Sequence, residues 1–281
     1  MDIEVTLLSK KDMSNIELTL SVSKAKTFED CKAKYRFCYI DKLPRIEQDF
    51  HIFGKFLHQI LENFHKALIC DPDRSKYWQV VMEEAWNIAH TEYESQITGL
   101  QYKDAKNIIK EYCEILEEEG LPNVLANEKP FFIKLNSVLL NGYIDRVQVD
   151  SDGVLHVIDY KTTKDPKYLK DYFQLLTYAY ALMLEDPKLN RVRASFVLLK
   201  HGFRYLTEEY TREQVMPIAE KFIKYYLNIQ EEKTWRPNPQ FLCKYCDYME
   251  HCKAGKDYLV KKGIIEGKKN IPFVGMKKWG K

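Results

Sequence analysis

No apolar run in these 281 residues is long enough to cross a bilayer. A span takes about 20 residues, so neither a membrane-embedded role nor a membrane partner is expected. Asp2 and Glu4 stand where a basic leader would be, and no clean apolar stretch follows them. The sequence therefore predicts a soluble, cytoplasmic protein without a secretory signal. No G-x-x-x-x-G-K-[ST] occurs, which excludes a P-loop motor within the chain. Internal repeats and low-complexity tracts are absent. Net charge is also scarce, at +2, so the chain as a whole is no general polyanion binder, and any nucleic-acid surface must be a local patch. That charge is uneven: Lys261 to Lys281 holds seven lysines and one Glu. In a cytoplasmic protein the seven cysteines read as metal ligands or buried thiols rather than disulfides.

What is present is a globular balance, 45% hydrophobic and 30% charged, with enough chain for an ample core. The chemistry concentrates between Glu128 and Tyr178. Apolar residues run or alternate from Phe131 to Leu140, Tyr143 to Val149 and Val154 to Tyr160. Asn-Ser, Asn-Gly and Ser-Asp-Gly punctuate them, which predicts three strands joined by tight turns. Two acids are out of place on such strands. Asp145 interrupts an apolar run and Asp159 follows Val157-Ile158 directly, although a buried unpaired carboxylate is costly. Asp159 and Lys161 lie two apart and so share one face of a strand. Two carboxylates and an ammonium converging at strand ends suggest a divalent metal with the lysine beside it.

These residues fall into an ordered set: Gly54-Lys55-Phe56-Leu57-His58, then Gly142-Tyr143-Ile144-Asp145-Arg146-Val147, then Asp159-Tyr160-Lys161, then Gln174-x-x-x-Tyr178. The set resembles the PD-(D/E)XK nuclease superfamily in its RecB-like form. The resemblance implies that Asp145, Asp159 and Lys161 are catalytic. It implies that His58, Asp145, Asp159 and the carbonyl of Tyr160 hold Mg²⁺ or Mn²⁺. Gln174, Tyr178 and Glu128 would support the site or contact substrate. Read without the rest of the set, His58 is an ordinary packed histidine, and Gln174 with Tyr178 is a polar rim on a packed helix.

Around this stretch, Ser21 predicts the cap of a helix running through Phe28, Cys31, Tyr35 and Tyr39. Its Lys24, Lys26, Lys32, Lys34 and Arg36 either solvate the outer face or line a nucleic-acid entrance. A second helix is predicted from His51 to Ile69, where Gly54 leaves room for a close approach one turn before His58. Two more follow over Ser75 to Ser95 and Tyr102 to Glu119, with stripes that indicate core packing. Cys70 and Cys113 read as buried thiols. A helix from Asp171 to Glu185, strands from Arg191 to Tyr210 around a His-Gly turn and a helix from Thr211 to Glu231 complete the pattern. The order predicts an α/β (α+β) fold with a central mixed sheet flanked by helices, restriction-endonuclease-like if the resemblance holds. One nuclease domain is expected over 1–281. It comprises N-terminal helices (21–70), a helical insertion (71–124), a catalytic sheet with its helices (125–232), a cysteine cluster (235–256) and a basic tail (257–281).

In that cluster Cys243, Cys246 and Cys252 are spaced C-x2-C-x5-C, which supplies three thiolates where a tetrahedral metal takes four. Spacing alone leaves zinc and an iron–sulfur cluster open. For zinc, His251 or a fourth cysteine would complete the set, and Cys38 rivals Cys31 for that place. The arrangement of one distant N-terminal cysteine and three C-terminal ones resembles the iron–sulfur RecB-like nucleases, AddB-type and CRISPR-associated. It implies that Cys31, Cys243, Cys246 and Cys252 hold a 4Fe–4S cluster.

The sequence thus predicts a metal-dependent DNA exonuclease acting on single strands or ends in recombination or repair, with a separate helicase or recombination protein as partner. The competing expectation is a catalytically weak end-binding protein beside a helicase or integrase. An RNase or a tRNA-modifying iron–sulfur protein is a third.

Overall fold

The computed structural model describes residues 3–9, 18–166, 169 and 172–266. The chain divides into two compact units, Met1–Leu20 with Phe53–Ile223, and Ser21–Ile52 with Lys224–Lys281.

The larger unit is built on a mixed sheet. Among the described residues seven strands take part: β1 (Val5–Leu7), β2 (Leu18–Leu20), β3 (Asn123–Leu135), β4 (Val138–Val149), β5 (Leu155–Lys161), β6 (Arg191–Leu198) and β7 (Arg204–Thr211). Their order is β1-β3-β4-β5-β6-β7, with β2 added parallel to β4. The β3–β4 and β4–β5 pairs are antiparallel, whereas β5 and β6 run parallel. A parallel pair needs a crossover, and α6 (Phe173–Glu185) supplies it.

The β3–β4 hairpin turns at Asn136-Ser137, where Asn136 takes φ 53°, as asparagine tolerates better than most residues. The expected Asn-Gly turn is not one: Asn141 and Gly142 lie inside β4, paired with Phe132 and Phe131. Gly142 is required for packing, because a Cβ there would meet the Phe131 ring at 2.6 Å.

One face of the sheet is covered by α3 (Asp49–Cys70), α4 (Trp78–Tyr93) and α5 (Gly99–Glu119). Phe56, Ile60 and Phe64 of α3 pack in one cluster with Val81 and Ala85 of α4, Ile109 and Tyr112 of α5, and Ile158, Tyr160 and Val197 of the sheet. Each large apolar side chain so buried contributes roughly 1.5–3 kcal/mol. Thr98 caps α5 in a reciprocal box with Gln101, which sets its start. Cys70, expected to be buried, is exposed at the end of α3, and Cys113 is half-buried. The helix expected over 211–231 is split into α7 (Arg212–Val215) and α8 (Ile218–Glu231) because Pro217 cannot continue the ladder.

The smaller unit opens with α1 (Val22–Asp30), whose cap Ser21 accepts from the Lys24 amide. The continuous helix expected through Cys31 does not form. Cys31 is extended (φ −161°, ψ 107°), and α2 (Lys32–Tyr35) restarts after it and passes into a π-helical turn, Arg36–Ile40. Phe28 meets Tyr35 edge-on, and Tyr35 stacks on Trp235. Lys32 pairs with Glu232, Arg36 with Asp41, and Lys24 lies over the Tyr39 ring, so most of this helix's cations are already engaged. The segment then closes with α9 (Lys253–Lys261). The expected tail from 257 is therefore helical at its start, and residues 267–281 lie outside the described residues.

Candidate active site

Alternation along β4 separates two neighbouring charges. Arg146 points into the core, where it donates to His65 Nε2 and Tyr112 Oη, both at 3.1 Å, and its guanidinium faces the Tyr160 ring. Burial, and Arg146 after it, hold the His65 imidazole well below its usual range. Asp145 alternates to the other side of the strand, yet its carboxylate still meets α3 through His58. Its Oδ2 accepts from the Tyr160 amide at 2.8 Å and lies 3.5 Å from His58 Nδ1. His58 Nε2 in turn donates to the Tyr160 carbonyl at 3.1 Å. Gly54, one turn earlier, has a use the sequence only hinted at. A Cβ there would stand 3.1 Å from Thr162 Oγ1, so glycine lets the end of β5 settle against α3.

Glu128 completes the set. Asn127 pairs with Arg146 and Lys129 with Ile144, so Glu128 lies across from Asp145. Its φ is +46°, a left-handed value that costs a side-chain-bearing residue roughly 1–3 kcal/mol and clusters at functional sites. Among the described residues, His58, Glu128 and Asp145 are the one set of three metal-type ligands whose atoms all lie within 4.8 Å of one another. Burial first, and Asp159 second, push the Asp145 carboxyl up to about 6. Burial and then Asp145 push Glu128 up to about 7. Two crowded acids beside an imidazole and the Tyr160 carbonyl are a mainly oxygen donor set with one borderline nitrogen, which suits Mn²⁺ and admits Mg²⁺.

Asp159 stands outside that trio, though close enough to act on both acids. It is 2% exposed and ion-paired with Lys161. Gln174 of α6 locks the pair: its Nε2 donates to Asp159 Oδ1 at 2.7 Å, and its Oε1 accepts from Lys161 Nζ at 3.0 Å. The same amide donates to Tyr178 Oη at 2.7 Å, so the four-residue spacing on α6 serves a single chain of hydrogen bonds. Every residue singled out for this site by sequence is thus brought to one corner of the sheet. Glu128 is the member whose weight the sequence understates. Neither its register nor its φ is readable from residue types.

In the smaller unit, Cys31, Cys243, Cys246 and Cys252 line one cavity of about 380 Å³. Main-chain amides aim at three of the sulfurs, Asn238 N at Cys31, Gln240 N at Cys243 and Gly255 N at Cys252, at 3.3–3.4 Å. Burial pushes the Cys246 and Cys252 thiols up. The break at Cys31 is what turns its side chain here. Cys38 instead lies against Tyr39 and Tyr248, and His251 lines a separate, smaller cavity.

The chain belongs to the PD-(D/E)XK nuclease superfamily, whose sequence profile matches residues 19–253. It is similar to an ATP-dependent helicase/deoxyribonuclease subunit of Streptococcus pyogenes. Two strain variants of that protein are 26% and 27% identical over 212 residues. The match covers 63% of this chain but 19% of either relative, so the chain spans about a fifth of their length. A crystal structure of a proposed exonuclease from Eubacterium rectale shares the fold at a TM-score of 0.54 and 13% identity, covering 89% of this chain and 94% of that one. No helix among the described residues is long and apolar enough to cross a membrane.

Proposed function

We propose that this chain is a metal-dependent DNA exonuclease acting on single strands or ends, that it carries a 4Fe–4S cluster, and that it works beside a separate helicase or recombination protein. The observation that carries the reading is the convergence of His58, Glu128 and Asp145 next to the Asp159–Lys161 pair.

His58, Asp145 and Glu128, with the Tyr160 carbonyl, would hold Mg²⁺ or Mn²⁺, and Asp159 adds negative charge from behind. When bound, the cation would supply Lewis acidity to the scissile phosphate and acidity to a water. The chain's own part is placement. Gln174 and Asp159 fix Lys161 Nζ, so the ammonium enters the reaction already oriented. There it is positioned to hydrogen-bond the attacking water and to offset charge that grows on the phosphate oxygens. Water oxygen bonds to phosphorus and releases a proton to solvent, the bond from phosphorus to the leaving sugar oxygen breaks, and that oxygen takes a proton from solvent. No covalent enzyme intermediate is required.

One feature supports a centre held by four cysteines rather than by three with His251: all four sulfurs line one cavity, and His251 lines another. The S. pyogenes relatives, named as helicase/deoxyribonuclease subunits, support DNA as substrate and a helicase as partner.

The test uses anaerobically purified protein, Mn²⁺ or Mg²⁺, and end-labelled linear single-stranded DNA, with a closed single-stranded circle and Lys161→Ala alongside. Degradation of the linear strand, with the circle spared and the variant inert, is expected. Nicking of the circle would make the enzyme an endonuclease. Binding without cleavage under either metal would favour the end-binding role.

A further inference from the structure

The smaller unit exposes a group of aromatic and apolar side chains at the rim of the thiol cavity, which Phe50, Leu242 and Tyr245 also line while Phe241 and Lys244 stand outside it. Phe50 is 45% exposed, Phe241 50%, Leu242 54% and Tyr245 46%. They are contiguous. The Phe50 and Tyr245 rings meet edge-on at 5.9 Å, and Phe241, Leu242 and Tyr245 share one 3-10 turn, Phe241–Tyr245. A cation is built into the group: Lys244 Nζ lies 3.9 Å from the Phe241 ring centre and 4.6 Å from that of Tyr245. Large exposed apolar groups of this kind usually mark a contact surface.

The charge of the unit narrows the occupant. The described residues 21–52 and 224–266 carry 15 Lys and Arg against 11 Asp and Glu, a net +4, while residues 1–20 and 53–223 carry 23 against 30, a net −7. The near-neutral whole hides this division. A second copy of the same face would meet like charge. A polyanion with planar apolar groups fits both halves of the pattern, since bases stack on rings whatever their identity while ammonium groups follow the phosphates.

Resting on the nuclease reading above, we propose that Phe50, Phe241, Leu242 and Tyr245, with Lys244, form a contact for unpaired nucleotides of a single-stranded nucleic acid. The patch holds substrate and takes no part in bond breaking. Paired bases cannot offer their faces, so it favours single strands over duplex.

The test measures anisotropy of a fluorescein-labelled oligothymidylate with the full, anaerobically purified chain in EDTA, which prevents metal-dependent cleavage. Phe241→Ala with Tyr245→Ala is expected to weaken binding about tenfold per ring without changing the slope of log affinity against log salt. Lys244→Gln is expected to lower that slope by about one. Phe241→Tyr with Tyr245→Phe keeps the rings and retains affinity. Duplex of the same length loses little in any ring variant. Iron content and light scattering accompany every variant. Unchanged oligomer affinity in the double alanine variant overturns the proposal. So does a loss that appears only together with loss of iron, which would make the patch a cover for the thiol cavity. Self-association of the parent chain that the variant abolishes also overturns it. Cleavage with Mn²⁺, measured separately, distinguishes the two readings. Cleavage with no ring effect sinks the contact alone. A ring effect without cleavage sinks the enzyme and leaves the contact.

Discussion

Strand β5 ends in polar groups at both extremities, and the two ends behave in opposite ways. At the start, His156 lies between Asp150, 2.9 Å from Nδ1, and Ser195 Oγ, 2.7 Å from Nε2. Ser195 in turn meets Thr207 at 2.7 Å. Arg193 joins Asp150, Asp152 and Glu209. Burial works against the Asp150 charge, yet hydrogen bonds from Gln148 and Arg193 hold its carboxyl below the usual range. Each acid there already has a cationic or hydrogen-bonding partner. At the other end burial first, and the neighbouring acids after it, push Asp145 and Glu128 up to about 6 and about 7, with no cation or hydrogen bond strong enough to offset them. Polarity at a strand end therefore does not mark a site. Unmatched charge does, because it leaves a position only an external cation can fill.

The two ends of β5 should respond differently to a pair of truncations. Lys161→Ala should lower the cleavage rate by roughly 10³-fold and, by leaving the buried Asp159 carboxylate without its cation, should lower the melting temperature as well. Arg193→Ala should leave the rate alone and destabilise the fold by about 1–3 kcal/mol, as loss of charge-assisted hydrogen bonds does. Steady-state kinetics and denaturant titration of both variants check this.

Glu128→Gln should separate stability from function. With one crowded charge gone, the metal-free protein should melt about 2–4 °C higher at pH 8, equivalent to roughly 1 kcal/mol in a domain of this size, while cleavage at limiting Mn²⁺ falls. A lower melting point would place Glu128 among the matched charges instead.

The two raised acids also set a pH dependence. Both bind protons more tightly in the folded state than in the unfolded chain, whose carboxylates titrate near about 4. Folding thus takes up protons, and stability falls as pH rises from about 4 through 7. Metal-free protein should melt lower at pH 8 than at pH 6, and saturating Mg²⁺ should shrink that difference. Calorimetric scans at the two pH values test it. The smallest effect belongs to Gly54→Ala, whose Cβ would press on Thr162 Oγ1. It should shift the end of β5 by a few tenths of an ångström and slow cleavage severalfold, visible in kcat rather than in KM.

Local patterns carried much of this into the sequence. Asp159 and Lys161 share a strand face, and Gln174 and Tyr178 share a helix face, by spacing alone, and the structure joins all four in one hydrogen-bonded chain. What escaped depends on partners far along the chain. Asn141-Gly142 resembles a turn, but the glycine exists to admit Phe131 from β3. Cys31 sits among good helix formers, so nothing local announces the extended residue that sends its thiol into the cavity. Glu128 reaches Asp145 only through the β3–β4 register, which residue types do not state.

The most direct measurement is Mn²⁺ binding by titration calorimetry, with the parent chain beside Asp145→Asn with Glu128→Gln. The unmatched end of β5 predicts saturable binding in the parent that the double variant loses, with Arg193→Ala binding as the parent does. Equal binding in all three would contradict it.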